Sequence, residues 1–490
     1  MKPNYLVLQL VIVITFWSSI IRAQTNTIEW GNSFDGNVFG TSIDLNTSFM
    51  GKDSKTESTF WLTKFIISTQ FYSDNRNFIL KKFDSTNTLI FSKDLHLLDF
   101  PEKSDSVVLK TEKIVQLKDK FILLVSAFNK KKSKETFYLH EMNFDGQLTK
   151  NSQLVSIVKT KKDKMDQNFL VLSPDSTKII ACVQGFEDSR TYHLLITDTN
   201  LSPLHSKLFK QQKDEFAQFY QAESHTQLYI DNAKRVYFLT DNYMDKDKRF
   251  RVVLFRYHPV TDSLNESKLD AGENNVIESV LLRIDKTNTP SILGLYKHQT
   301  DTKQKGFLYI SFNNHLTIVN TKIKQFSTPF IIAEKTTAIE KKDGGIILLN
   351  EYKDAINGYS GNINILNIDK EGNLLYHFTV YKKQRLSNIS NYCPLYNVST
   401  NTLHIIFNDN SKNVSINNKK GMSNMKDKSA TPMLLSIDAK GDMTKKYLFE
   451  NYNKNITLCP NVFFQSSDKE VYLFGEAGIY KYKLGRLTIQ

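Results

Sequence analysis

Residues 362–380, NINILNIDKEGNLLYHFTV, read as one β-hairpin. Ile363 and Ile365 alternate with Asn362 and Asn364, the period of a strand with one face buried. Residues 369–373 supply a polar turn in which Gly372 is available where φ must be positive. Residues 374–380 return as a second strand rich in branched and aromatic side chains.

The same arrangement recurs along the chain. Polar turns between apolar strands stand at 84–88, 145–146, 198–203, 258–263, 313–314, 369–373 and 438–441, with a last hairpin over 479–489 turning near Gly485. With Asp84, Asp145, Asp198, His258, Asn313, Asp369, Asp438 and Tyr482 as markers, the successive separations are 61, 53, 60, 55, 56, 69 and 44 residues. A shorter pair of strands precedes most hairpins, as at 113–117 with 120–125 and at 462–464 with 470–474. A four-stranded unit repeated in this way predicts an all-β chain, a seven- or eight-bladed β-propeller with four-stranded antiparallel blades. The alternatives are two β-sandwiches or a β-solenoid. A solenoid has a shorter repeat, and the isolated Pro290 and Pro329 do not make the linker that two sandwiches require.

Composition agrees with strands. The 490 residues include 33 Phe and 22 Tyr against three Trp, and 40% apolar residues suffice for a large core. Sixty-four basic and 51 acidic residues give a net charge of +13, but the signs are interleaved, as on a lysine-rich solvated surface. Three cysteines, Cys182, Cys393 and Cys459, are too few for a disulfide framework. Cys393-Pro394 and Cys459-Pro460 precede apolar strands at comparable distances from a following hairpin, which suits equivalent buried positions in two repeats.

Residues 1–23 read as a signal peptide: Lys2, an apolar run over 6–16, and Ala23 before a candidate cut ahead of Gln24. The apolar segment is short for a bilayer crossing, and no other stretch offers a transmembrane helix to the mature chain. Loss of Lys2 and Arg22 lowers the formal charge from +13 to +11. Residues 24–59 form an N-terminal lead, and 60–490 the propeller, with a polar insertion at 408–431. The expected location is the cell surface, the extracellular space or the periplasm.

Residues 171–176, Val-Leu-Ser-Pro-Asp-Ser, followed by Lys178-Ile179-Ile180-Ala181, resemble the Ser-Pro-Asp-Gly turn and following strand of secreted bacterial β-propellers of the broad TolB-like and WD40-like kind. Ser176 stands where Gly is usual. The resemblance covers about ten residues of one unit and implies blades without implying a function. The signal-like start and the Asn/Lys/Ile-rich composition are similar to those of exported Bacteroidota proteins.

Catalytic signatures are thin. Ten histidines are scattered with no His-Glu-x-x-His and no zinc-ligand spacing, and His140 and His377 lie in strands. Residues 358–362, GYSGN, lack the second Gly of a nucleophile elbow, which leaves Ser360 as a loop residue. Gly344-Gly345 opens an apolar strand and is not a phosphate loop. Residues 241–247, DNYMDKD, lack EF-hand spacing and read as a polar turn. No catalytic residue, metal ligand or cofactor site is assigned.

Candidate partner-binding residues fall into two groups. Lys130, Lys131 and Lys132, with Lys161 and Lys162, form basic runs suited to an anionic glycan; an exported chain with no reading module does not suit nucleic acid as a partner. Trp30, Phe34, Tyr243, Tyr359 and Tyr396 lie beside Asn, Asp or Gly and are candidate exposed aromatics. The expected function is a secreted, non-catalytic binding or scaffold propeller, with a protein partner in a cell-envelope or extracellular assembly. The alternative is a propeller hydrolase or carbohydrate-binding protein acting on an extracellular polymer, for which convergent carboxylates would be the mark.

Overall fold

The most apolar runs of the chain become the second strands of its sheets. In Lys120–Asn129, KFILLVSAFN, seven consecutive residues from Phe121 to Ala127 are buried. A strand covered on both faces needs no polar alternation. The fourth strands show the opposite character: Ile318–Gln325, IVNTKIKQ, is largely exposed.

The computed structural model describes residues 26–35, 47–69, 72–95, 98, 100–104, 106–129, 131–158, 168–186, 190–210, 227–244, 250–272, 275–285, 288–298, 300, 305–326, 336–354, 359–382, 384–385, 391–415, 423, 430–449, 456–478 and 481–489. Their strands make eight antiparallel sheets, the blades of an eight-bladed β-propeller with four-stranded blades. Blades 1 to 8 occupy residues 47–94, 107–158, 169–210, 227–269, 275–325, 336–385, 393–447 and 457–488. Blade 6 carries one extra two-residue strand, Gln384–Arg385, and blade 8 another, Phe34–Asp35.

The chain divides into two compact units. Blades 1 to 6 lie in the first, residues 43–85 and 89–386; blades 7 and 8 lie in the second, with residues 26–35 and 86–88. Within each unit the two-residue period of the strands sorts side chains between neighbouring blades. Phe121, Leu123 and Val125 of blade 2 pack with Phe60 and Leu80 of blade 1. The intervening Ile122 and Leu124 pack with Ile179 and Val183 of blade 3. In the second unit Cys393 and Ile406 of blade 7 meet Leu458 and Leu473 of blade 8.

The turns between the third and fourth strands of blades 2, 3, 5 and 7 share one chemistry. Asn143, Asp198, Asn313 and Asp438 each accept, through Oδ1, hydrogen bonds from the backbone N–H groups two and four residues on. Three residues after each anchor the chain takes positive φ, at Gly146, Leu201, Leu316 and Gly441; Gly372, three residues after Asp369, does the same at φ 84°. In blade 2 the anchor is Asn143, two residues before the Asp145 marker. The Ser-Pro-Asp-Ser turn joins the first and second strands of blade 3, with Ser176 at φ 54° and Asp175 holding Thr177 N–H at 3.1 Å. Ser173 donates to Asp175 at 2.5 Å, which helps pull that carboxyl down to about 2.

Three sequence expectations change. Gly485 does not turn a hairpin: it lies within Lys481–Thr488, opposite Trp30 on one side and Leu473 on the other. Blade 8 takes its fourth strand from Thr27–Trp30, so no turn between third and fourth strands is needed there. Blade 1 opens with Thr47–Lys52, inside the stretch read as a lead. The insertion in blade 7 is shorter than 408–431, because Thr402–Asn410 and Ala430–Ile437 are paired strands. Residues 1–23 lie outside the described residues. Among the described residues, no helix is long and apolar enough to cross a membrane.

Candidate functional site

The first strands of four consecutive blades in the six-blade unit run side by side: Phe169–Leu172, Gln227–Ile230, Asn275–Ile284 and Thr336–Glu340. Phe169 and Val171 of blade 3 pack against the core that holds Leu228 and Ile230 of blade 4, and hydrogen bonds and an ion pair tie the later strands together. Gln227 of blade 4 donates to the Val280 carbonyl of blade 5 at 2.8 Å and accepts from Leu282 N–H at 3.3 Å. Ser279 of blade 5 shares a hydroxyl hydrogen bond of 3.1 Å with Thr336 of blade 6. Arg283 Nη2 donates to Glu340 Oε1 at 2.8 Å.

These strands enclose a cavity of about 290 Å³, near the lower limit of small-molecule sites, about 300–1,000 Å³. Its wall is mostly aliphatic, from Val171, Leu172 and Pro174 through Ile230, Leu281 and Ala338, with Tyr229 as the aromatic member. Burial raises the Tyr229 phenol, whose hydroxyl donates to Gln227 at 3.1 Å. Arg283 and Glu340 are the charged groups of the lining. The Glu340 side chain is 56% exposed and marks the open end, whereas Arg283 is 17% exposed. Arg283 Nε is buried with no hydrogen-bond partner among the described residues, a donor that costs about 1–3 kcal/mol to leave unused.

The wall is braced from behind. Asp231, fully buried, accepts from Arg235 Nε at 2.6 Å, Arg235 N–H at 2.9 Å and the Tyr237 hydroxyl at 3.1 Å. Arg235 reaches on to the Asn288 carbonyl at 3.2 Å. This network fixes the turns that follow Ile230 and Ile284, so the cavity rests on strands held in register.

The candidate residues of the sequence are placed elsewhere. Phe34 is buried, edge-on to Phe474 with ring centroids 5.9 Å apart, and Tyr396 is buried in the first strand of blade 7 with its hydroxyl on Asn401 at 2.5 Å. Both are packed residues, a correction to their reading as exposed aromatics. Trp30 is half-buried against the core of blades 7 and 8. Tyr243 and Tyr359 stand in paired strands, opposite Arg251 and Asp354, not in loops, and Ser360 is likewise in a strand. Lys131 and Lys132 are exposed in a turn whose N–H groups both donate to Asn129 Oδ1 at 3.1 Å. Lys130, Lys161 and Lys162 lie outside the described residues. Trp30, Phe34, Lys131, Lys132 and Tyr396 are not among the residues that line the cavity.

Sequence reasoning passed over Arg283 and Glu340. The available signal was a lone cation closing the apolar run Val280-Leu281-Leu282, and an acid closing the short strand TTAIE one blade on. His140 is buried with Phe100 edge-on and its Nε2 3.4 Å from Glu102 Oε2; desolvation lowers its pKa against the opposing pull of Glu102. Among the described residues, no three His, Cys, Asp or Glu side chains converge as metal ligands would.

No protein-family model matches the chain, and no curated protein matches its sequence. Solved structures resemble it at low identity. A Dyadobacter fermentans protein of unknown function is 8% identical, with 79% of this chain and 96% of that one covered and a TM-score of 0.35. The periplasmic gluconolactonase PpgL of Pseudomonas aeruginosa is 10% identical, covering 71% and 90%, with a TM-score of 0.38. The WD40 domain of SCAP from fission yeast is 11% identical, covering 95% and 96%, with a TM-score of 0.31. The chain is thus similar to several distantly related β-propeller proteins, and the similarity is one of fold alone.

Proposed function

We propose that this protein is an exported, non-catalytic binding propeller, a scaffold component of a cell-envelope or extracellular assembly that receives part of a protein partner in the cavity of blades 3 to 6. The observation that carries this reading is the cavity itself: an aliphatic wall on four cross-braced strands, with one ion pair at its edge. A rigid recess of this kind binds without a large ordering cost. The exposed Lys131 and Lys132 support an additional anionic-glycan contact.

The test is photo-cross-linking. A benzoylphenylalanine placed at the exposed Lys342, in the turn two residues beyond Glu340, is irradiated in the native envelope and secretions, and adducts are identified by mass spectrometry. One protein adduct in constant ratio is the expected result. Absence of any adduct, together with turnover of polysaccharide or lactone substrates by the purified protein, overturns it in favour of a propeller hydrolase.

A further inference from the structure

The charge pattern at the edge of the cavity narrows what the recess accepts. Arg283 and Glu340 cancel one another at 2.8 Å. A second carboxylate drawn to Arg283 meets Glu340 a few ångströms away, and an ammonium drawn to Glu340 meets Arg283. Each gains from one member of the pair and loses to the other, and the balance weighs most at Arg283, the less exposed member at 17%. A group with no net charge, one acceptor and one donor avoids both losses. A peptide amide is such a group.

The guanidinium has five N–H donors. Its bond to Glu340 uses Nη2, and Nε is buried without a partner among the described residues. Glu340, more than half exposed, retains acceptor capacity toward the open end. The aliphatic wall beside the pair has room for a branched side chain, since 290 Å³ holds the equivalent of about ten liquid waters.

We propose that the cavity anchors an aliphatic residue of a polypeptide, leucine-like in size, whose side chain enters between Leu281 and Ala338. Its own peptide carbonyl accepts from Arg283 and its N–H donates to Glu340. This assignment rests on the protein-binding reading above and specifies the anchor. The rigid four-strand wall supplies the complementarity and the ion pair supplies the orientation.

Three small probes with the same branched chain test it on the full-length mature protein, by ligand-observed NMR titration. They are N-acetyl-leucinamide, the anion 4-methylpentanoate and the cation isoamylamine. The amide is expected to bind at least tenfold more tightly than either charged probe. Ala338→Trp, which fills the recess from an exposed position, is expected to abolish the signal, and Arg283→Met to weaken it about tenfold. Unchanged thermal melting of both variants excludes misfolding as the cause.

Tighter binding of 4-methylpentanoate overturns the proposal by making Arg283 an anion site. Failure of all three probes while the Lys342 cross-link still captures its partner overturns the anchor and leaves the protein-binding reading standing. Loss of the cross-link as well removes both.

Discussion

Glu351 and Lys382 form an ion pair closed off from water, the carboxylate side chain 5% exposed and the ammonium side chain 0%. It pins the chain that follows the fourth strand of blade 6 to the second strand of the same blade. Gln384 Oε1 accepts a further bond from Lys382 Nζ at 3.2 Å, and Asn362 Oδ1 accepts from the Lys382 N–H at 3.3 Å. Removing one partner of a buried pair strands the other charge, whereas removing both does not. Lys382→Met is therefore expected to cost about 3–5 kcal/mol, and Lys382→Met with Glu351→Leu to recover most of it. Urea unfolding midpoints of the two variants check this, and equal losses in both would refute the charge argument.

Among the described residues Lys81 has no such partner. Its side chain is buried in the third strand of blade 1, with Thr63 Oγ1 accepting at 2.9 Å, and burial pulls its ammonium down to about 8. Between pH 8 and the ordinary lysine value the unfolded chain holds more protons than the folded one, so stability rises with pH across that window. The penalty present at pH 7 is on the order of 3 kcal/mol. Lys81→Met is expected to raise the melting temperature at pH 7 and to flatten the rise between pH 8 and 10. Melting curves across that range decide it.

The three thiols are packing groups. Cys182, Cys393 and Cys459 are buried and unpaired, and burial raises all of them, Cys182 to about 12. Thiolate is the reactive form. Native protein at pH 8 is expected to resist iodoacetamide, with three modifications appearing only in denaturant. Rapid labelling of the native chain, read by intact mass, would contradict the burial.

Gly485 and Trp30 face each other across blade 8. A Cβ on Gly485 would stand 2.6 Å from Trp30 Cε3 and 2.9 Å from Ile28 Cδ1. Gly485→Ala is expected to destabilise by about 1–3 kcal/mol through overpacking. Trp30→Ala in the same chain should relieve part of that strain, so the double variant should melt above the additive expectation. Strict additivity would place the two residues out of contact.

Much of the fold was legible in residue order. Third-to-fourth-strand turns announce themselves through anchors such as Asp369 and Asp438 and through glycine at the positive-φ position, Gly372 and Gly441. These are local devices, and local sequence reports them. The Ser-Pro-Asp-Ser turn was legible for the same reason, even with serine in glycine's place. Blade number was not: the eighth sheet draws Thr27–Trp30 to Lys481–Thr488 across more than 450 residues, and no local signal at Gly485 separates a strand from a bend.

The candidate aromatics failed for a related reason. Trp30, Phe34 and Tyr396 have polar neighbours in sequence, yet strand pairing turns Phe34 and Tyr396 into the core and sets Trp30 against it. Neighbours along the chain point to opposite faces of a strand and say little about burial.

The sequence alone determined an all-β chain of repeated four-stranded units, because alternation, turn chemistry and strand propensity act over a few residues. The tertiary structure alone decided that blade 8 is completed by the N-terminal strand, and that Arg283 and Glu340, 57 residues apart, meet at the edge of an aliphatic recess. Both depend on which strands far apart in the chain become neighbours, and that is settled by long-range pairing and packing rather than by any local preference.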